Sequence, residues 1–503
     1  MKSNSSGREN IQLTGPYDSM RDYVIALEAT GRLIRIKEMD QDQYEATGFA
    51  YRLVEKYGFN EAPAFLIERV KVDGEWMEGP VLANIYGPWD SEAMSCGVEN
   101  VTEDKREMYR AAVHKFIGLA NKNGQWEPVK PIMFENSNPP CKEVIIKGGD
   151  VDIRKFPYLK CNPADGGRYV NSGSVIFEDP ELGRNMGTYR SQIFSATRIG
   201  MNPEVGQHGW SFLMAAKKRG QTTMKAAIIV GNDPIMWAMS CSKISHLGQD
   251  EYEMAGVFKG KPVELVKCET NDILVPANAE MIIEGEIPLD ERTEEGPHAE
   301  MYGYLGRKRD ANFFMNIEAI THRHDPWIFN NHTGVMRGFH TAAMDAYSHL
   351  AYKKTIRNLV AIHSISNSPG IVAASIDKGF AGDGLAAGQQ IAATHFVSKV
   401  IVIVDKDVDV FNTEEVLTAI ATRWQPDPAT LIIPHARTTF LEPSAVTPRV
   451  TSKIIIDATK QLPEEGGPAH WPAVSRELLT DSCPEVFDLV DGKWDEFMGD
   501  FEN

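Results

Sequence analysis

Two hydrophobic periods alternate along the chain. Met20, Val24 and Leu27 recur at helical spacing, Gly31 stops the repeat, and Leu33-Ile34-Arg35-Ile36 follows as a strand. A second helix is predicted from Lys105 to Leu119, with Tyr109, Val113, Phe116 and Ile117 on one side. Together these predict an N-terminal α/β domain over residues 1–140, closing at the Pro-rich Asn136 to Pro140. From Cys141 the pattern changes to short apolar runs: Val144–Ile146, Val175–Phe177, Ala227–Val230, Val263–Val266, Met281–Ile283 and Phe313–Ile317. Turn clusters such as Ala164-Asp165-Gly166-Gly167 punctuate them and helix signals are few, which predicts an antiparallel sheet or barrel over 141–335. A long helix, Ala342 to Val360, then opens a second α/β region over 336–503. There Val400–Val404 reads as a buried strand, and Asn412-Thr413-Glu414-Glu415 caps a helix running to Trp424.

With 503 residues the chain has room for about three domains of ordinary size. Its net charge of −18 disfavours nucleic acid as a partner, because phosphate repels such a field, and an anionic substrate must be drawn by a local basic group. The six cysteines form no C-x-x-C pair, so neither a zinc knuckle nor a disulfide framework is indicated. No apolar run reaches the roughly eighteen residues that a membrane span needs, and no apolar leader follows a basic start, so a cytoplasmic protein with reduced thiols is expected. Met1 to Asn10 are polar and expected to lack fixed structure.

Chemistry concentrates in Thr293-Glu294-Glu295-Gly296-Pro297-His298-Ala299-Glu300-Met301-Tyr302-Gly303-Tyr304. Residues five apart face opposite sides of a strand and diverge by roughly 140° on a helix, so Glu295 and Glu300 reach one pocket only across a bend. Gly296-Pro297 can supply it. Two carboxylates held close cannot both ionise cheaply, so one can carry a proton near neutrality. A second set, Asn185, Arg190, His208 and Glu251, combines amide oxygen, imidazole nitrogen and carboxylate, a donor mixture suited to Mn²⁺ or Mg²⁺. Spacing alone does not select these residues. Ile371–Ile376 followed by Gly379, Gly382, Gly384 and Gly388 imitates a dinucleotide loop, but the glycine spacing departs from G-x-G-x-x-G and the region reads as a plain loop.

The chain resembles the UbiD family of decarboxylases, which use prenylated flavin mononucleotide and include the ferulic acid decarboxylases. Pro140-Cys141-Lys142, Phe156-Pro157, Asp165-Gly166-Gly167-Arg168-Tyr169, Val266-Lys267-Cys268-Glu269-Thr270-Asn271-Asp272, Val275-Pro276-Ala277, Glu284-Gly285 and the Glu295–Tyr304 segment carry the likeness in order. The resemblance implies a mixed α/β and α+β fold. Its parts would be an N-terminal α/β domain, a central split β-barrel that binds flavin, and a C-terminal α/β oligomerisation domain. It implies Arg190, Glu295 and Glu300 as catalytic residues, with Glu300 in the proton-transfer role. Asn185, His208 and Glu251 would hold a Mn²⁺ or Mg²⁺ at the flavin phosphate, with Gln207 and Arg190 also at the cofactor and a K⁺ or Na⁺ beside it. From their position around the segment leading out of the middle domain, His298, His332, Arg337 and His340 read either as substrate contacts or as ordinary hydrogen-bonding residues.

Loss of CO₂ from a ring carbon leaves an electron pair orthogonal to the π system, so the ring cannot stabilise it and a cofactor must. The resemblance implies reversible decarboxylation through a covalent prenylated-FMN adduct. It also implies a flavin prenyltransferase as cofactor supplier, and assembly as a homodimer or homohexamer. Leu441-Glu442-Pro443-Ser444, Ser452-Lys453 and Asp457-Ala458-Thr459 are more similar to the branch acting on aromatic and heteroaromatic acids, such as indole, phenazine, pyrrole, furan or hydroxybenzoate carboxylates. The alternatives are a cinnamic-type acrylic acid decarboxylase and a flavin-binding subunit without catalysis. One departure stands out: the basic residue that ferulic acid decarboxylases place before the strand corresponding to Ile401–Val404 is Ala393 here.

Overall fold

The computed structural model describes residues 11–99 and 102–499, so Met1 to Asn10 lie outside the described residues. Strands Leu33–Asp40 and Ala64–Val72 pair in parallel across the helix Glu45–Tyr57, and Ala64–Val72 turns back into Glu75–Ala83 through Asp73-Gly74. Both turn residues have positive φ, +53° and +83°, the geometry for which Asp-Gly is favoured. The fourth strand of this sheet, Ile328–Phe329, comes from far along the chain and pairs with Val81 and Leu82. The N-terminal sheet is thus completed by the segment that leaves the middle of the protein.

The middle sheet has ten strands in an open order, and its outermost members, Tyr169–Val170 and Gly183–Thr188, do not pair with each other. Its spine is the 14-residue strand Arg309–His322. At Asn316 this strand passes from pairing with Met281–Pro288 to pairing with Arg198–Met201, so the sheet is split rather than closed. Three helices, His208–Lys218, Pro234–Cys241 and Glu251–Lys259, belong to this part, more than the apolar pattern predicts. The reason is plain in Pro234–Cys241, which is buried from Pro234 to Ser240 and so has no polar face to give it a helical period. Its start was legible nonetheless: Asp233 caps the amides of Ile235 and Met236, and Pro234 occupies the first turn.

The last sheet runs in the order Leu359–Ser364, Ile371–Ile376, Val400–Asp405, Val450–Ala458, Thr430–Arg437, with the inner three parallel. Successive residues of Val400–Asp405 feed opposite faces. Ile401 and Ile403 pack with Ala387 and Ile391 of the helix Asp383–Thr394, while Val402 and Val404 pack with Val416 and Ala419 of Thr413–Arg423. The helix expected from Ala342 to Val360 ends at Lys353. The amides of Thr355 and Ile356 turn back onto the Tyr352 carbonyl, and Leu359 already begins a strand. Ile356 and Leu359 keep a helical spacing by coincidence, because both are recruited to the sheet core.

A buried joint ties the first and last parts together. Glu92 Oε1 accepts the amides of Thr341 and Ala342 at 2.7 and 2.6 Å, capping the helix Ala342–Lys353 from 250 positions away. Its other oxygen takes Arg337, which also bonds Thr341 Oγ1. Tyr109 and His363 converge on Asp345 of the same helix at 2.8 and 2.6 Å. Burial raises the Glu92 pKa, with Arg337 and the two amides opposing it. Removing one partner of a buried pair strands the other, so Glu92→Ala should cost about 3–5 kcal/mol in chemical denaturation. A loss below about 1 kcal/mol, the value of an exposed pair, would make the joint incidental.

Candidate active site

Arg190 sits in the two-residue link between Gly183–Thr188 and Ser191–Ser195. Its neighbour Tyr189 turns into the core beside Phe177, accepting the Gly209 amide at 3.0 Å. Glu295 ends the short strand Thr293–Glu295, which pairs with the spine strand at Arg309. Gly296, at φ +85°, then turns the chain as an L side chain rarely could. Two further glycines make room for Glu300: a Cβ on Gly306 would lie 2.6 Å from Glu300 Oε1, and one on Gly334 would lie 2.4 Å from the Glu300 carbonyl oxygen.

The bend brings both carboxylates onto one guanidinium. Arg190 forks onto Glu295, Nε to Oε1 at 3.0 Å and Nη2 to Oε2 at 2.9 Å, while Nη1 alone bonds Glu300 Oε1. Tyr169 adds a further donor to Glu295 Oε1 at 3.0 Å. Glu295 therefore faces three donors, and Glu300 faces one. Burial raises the Glu300 pKa despite the opposing pull of Arg190. Arg190 itself is pushed down by burial but further up by the two carboxylates, so it stays a cation. The set is two unequally held carboxyl groups bridged by one cation, and the less tightly held one has the raised pKa.

Residues assigned no role from sequence hold this geometry. Gln192 Oε1 accepts the Gly296 amide at 2.8 Å and lies 3.2 Å from Tyr169 Oη, and Gln192 Nε2 donates to the Gly166 carbonyl at 2.8 Å. Asp165 Oδ1 accepts the Ala299 amide at 3.2 Å. A Cβ on Gly166 would meet the Gly296 carbonyl at 2.5 Å, so the Asp165–Tyr169 motif is a glycine-dependent bracket around the Glu295–Glu300 bend. Only its length as a motif could have signalled this. His298 stacks on Tyr169 with ring centroids 4.2 Å apart, and burial together with Arg190 lowers its pKa to about 3, leaving it neutral.

Of the second predicted set, Arg190 joins the two carboxylates, and Asn185, His208 and Glu251 gather with one another. Asn185 Nδ2 lies 3.2 Å from Glu251 Oε1 and 3.5 Å from His208 Nδ1, and the Met186 amide donates to Glu251 Oε2 at 2.8 Å. Asn185 Oδ1 is buried without a partner. Burial lifts the Glu251 pKa to about 8 and lowers that of His208. A buried carboxylate without a cation beside an orphaned amide oxygen and a neutral imidazole fits a divalent ion. Among the described residues no group of three or more His, Cys, Asp and Glu is arranged for a metal, so this set depends on the Asn185 amide. Gln207 caps the turn before His208 through Oε1, which accepts the Glu204 amide at 2.7 Å. Glu204 pairs with Arg309, and both act on the Glu300 carboxyl, linking the two sets.

The weaker candidates divide. His332 is buried with both ring nitrogens unpaired, two positions before the Gly334 that touches the Glu300 backbone. Arg337 and His340 are corrected: Arg337 is consumed by Glu92, and His340 is wedged between Tyr23 and Tyr86 and bonded to Ser95. The glycine-rich loop is not a phosphate cradle in this structure. Asp383 Oδ2 accepts the Gly379 and Phe380 amides at 3.0 and 3.1 Å, and Glu465 Oε1 takes that of Gly382 at 2.7 Å. A surface cavity of about 660 Å³ beside Met133, Lys142 and His324 shares no residue with either set.

Comparison with known proteins matches residues 133–336 to the 3-octaprenyl-4-hydroxybenzoate carboxy-lyase Rift-related domain (UbiD). Residues 24–110 and 341–458 match the N-terminal and C-terminal domains of the same carboxy-lyase. A phenolic acid decarboxylase of Sedimentibacter hydroxybenzoicus is 30% identical over 90% of this chain and 93% of its own length. Among solved structures, the vanillic acid decarboxylase of that organism in its closed form superposes with a TM-score of 0.79 at 28% identity, covering 94% of this chain and 99% of that one. The UbiD-class enzyme HmfF from Pelotomaculum thermopropionicum, in complex with FMN, gives 0.75 at 26% identity over 91% and 97%.

Proposed function

The chain belongs to the UbiD family of carboxy-lyases, and from that premise we propose that it decarboxylates an aromatic or heteroaromatic carboxylic acid, reversibly and without oxidation, using prenylated FMN. The observation that carries this reading is the unequal grip of Arg190 on Glu295 and Glu300. Glu295 serves as the fixed anion that orients Arg190. The remaining field of the guanidinium attracts the substrate carboxylate. Glu300, whose pKa burial raises, delivers the proton that replaces CO₂ on the ring carbon. Neutral His298 and the Tyr169 ring wall off water on the Glu295 side.

When bound, prenylated FMN supplies the electron sink that no side chain offers. Asn185, His208 and Glu251 would hold its phosphate through Mn²⁺ or Mg²⁺, with Gln207 at the same turn and a K⁺ or Na⁺ on backbone carbonyls nearby. In this reading residues 1–140, 141–335 and 336–503 are the N-terminal, flavin-binding and oligomerisation domains of a homodimer or homohexamer, and a flavin prenyltransferase supplies the cofactor. Among the described residues no helix is long and apolar enough to cross a membrane.

The test is CO₂ release from a panel of phenolic, heteroaromatic and cinnamic acids, on enzyme co-produced with a flavin prenyltransferase. Release from phenolic or heteroaromatic acids supports the proposal; release from cinnamic acids alone would move the chain to the acrylic branch. The metal has its own signature. A carboxyl whose folded pKa is raised from 4.5 to about 8 keeps its stabilising proton at low pH and loses that contribution as pH rises through 8. Mn²⁺ displaces the proton, so the rise in Tm on adding Mn²⁺ should grow between pH 6 and 8 and vanish in Glu251→Gln. An equal rise in that variant would remove Glu251 from the ligand set.

A further inference from the structure

Beside the Asn185–His208–Glu251 set, two cations from different parts of the chain stand without carboxylates. Lys243 follows the helix Pro234–Cys241, and Arg437 ends the strand Thr430–Arg437 of the C-terminal sheet. Both lie over the ring of Phe396, with Lys243 Nζ 4.2 Å and Arg437 Cζ 5.5 Å from its centroid. Arg437 also reaches the turn before His208, where its Nη2 lies 3.5 Å from the position of a Cβ on Gly206. Burial lowers the Lys243 pKa, with Glu204 opposing the shift and Arg437 adding to it. The nearby carboxylate, Glu204, is already occupied by Arg309 and approached by Arg449 at 4.0 Å. Among the described residues neither Lys243 nor Arg437 makes an ion pair or a hydrogen bond, although the chain as a whole carries a net charge of −18.

Two like charges held over one ring repel each other, and the nearby Glu204, which favours the Lys243 charge, is shared with Arg309 and Arg449. Leaving both cations bare makes physical sense where an anion arrives between them. We propose that Lys243, Phe396 and Arg437 form an anion clamp for a phosphate monoester, closing on the phosphate of the flavin from both sides of the cleft between the middle and C-terminal parts. This rests on the flavin reading above and extends it. The basic contact that the sequence lacks at Ala393 would be supplied here by one residue from the middle part and one from the C-terminal part, both over the ring of Phe396. Phosphate binding would then draw the C-terminal sheet onto the middle sheet, because Arg437 ends a strand of the former.

The test uses purified enzyme made without cofactor, titrated with FMN, riboflavin and inorganic phosphate and followed by flavin fluorescence. Lys243→Met and Arg437→Gln should each weaken FMN binding about tenfold or more, the range of a charge-assisted hydrogen bond, and flatten its dependence on salt. Riboflavin affinity should be unchanged, and inorganic phosphate should compete with FMN in the wild type but much less in the double variant. FMN affinity unchanged in the double variant, or FMN and riboflavin weakened equally, would overturn the clamp, the second outcome assigning these residues to packing. A wild-type protein that binds neither flavin would overturn the flavin reading and the clamp together. Circular dichroism and Tm of each variant guard against loss of fold, and Lys243→Arg should restore FMN affinity.

Discussion

Glu300→Gln should lower kcat by about 10²–10⁴-fold, the usual worth of a positioned proton donor, with retained flavin unchanged. The amide keeps the size of the carboxyl and can still accept from Arg190 Nη1, so the Gly306 and Gly334 backbones that crowd Glu300 need not move. What disappears is the proton. The same reasoning fixes the pH dependence of the native enzyme. Burial raises the Glu300 pKa against the pull of Arg190, so the acid form persists above the ordinary carboxylate range and kcat falls as pH rises through that raised value. That limb of the profile should be missing from the residual activity of Glu300→Gln. A near-native rate in the variant would take Glu300 out of the chemistry.

Arg190→Lys should be nearly as damaging although it preserves charge. The guanidinium makes three contacts in one plane, two to Glu295 and one to Glu300, and an ammonium on a shorter reach cannot reproduce the fork. Losing two charge-assisted hydrogen bonds costs about 3 kcal/mol or more, which is more than about 100-fold in kcat/KM. Stability should suffer less than in Arg190→Ala, where two buried carboxylates are left facing each other at a cost of about 3–5 kcal/mol. Steady-state kinetics alongside thermal unfolding separates these effects. If lysine sustains full kcat/KM, the fork is not what organises the site.

The local features that sequence disclosed were those set by short-range rules. Asn412 caps its helix, Val400–Val404 is buried on both faces, and the Gly296 bend turns Glu300 back towards Glu295. Each follows from side-chain periodicity or backbone freedom within a few residues. What stayed hidden depends on contacts between distant segments. Glu92 capping a helix 250 positions away leaves no local trace, and neither does Ile328–Phe329 completing the first sheet. The helix Pro234–Cys241 lost its period because every face is covered. In the site, the approach of Glu295 and Glu300 across the bend was legible and Arg190 came from the resemblance, whereas Gln192 and Tyr169 look like ordinary strand residues until Gly296 is seen hydrogen-bonded to one and Glu295 to the other. Arg337 and His340 take the plainer of their two readings, hydrogen-bonding residues that here help build a joint.

The unequal carboxylate pair is tested most directly by decarboxylation in D₂O. Enzyme co-produced with a flavin prenyltransferase, given an aromatic acid that it turns over, should release one CO₂ per product and place one deuterium on the carbon that carried the carboxyl group. Glu300→Gln carrying the same cofactor should do neither at a measurable rate. Equal CO₂ release and equal deuterium in that variant, or flavin-loaded native enzyme that releases no CO₂ from any aromatic acid, would contradict the assignment.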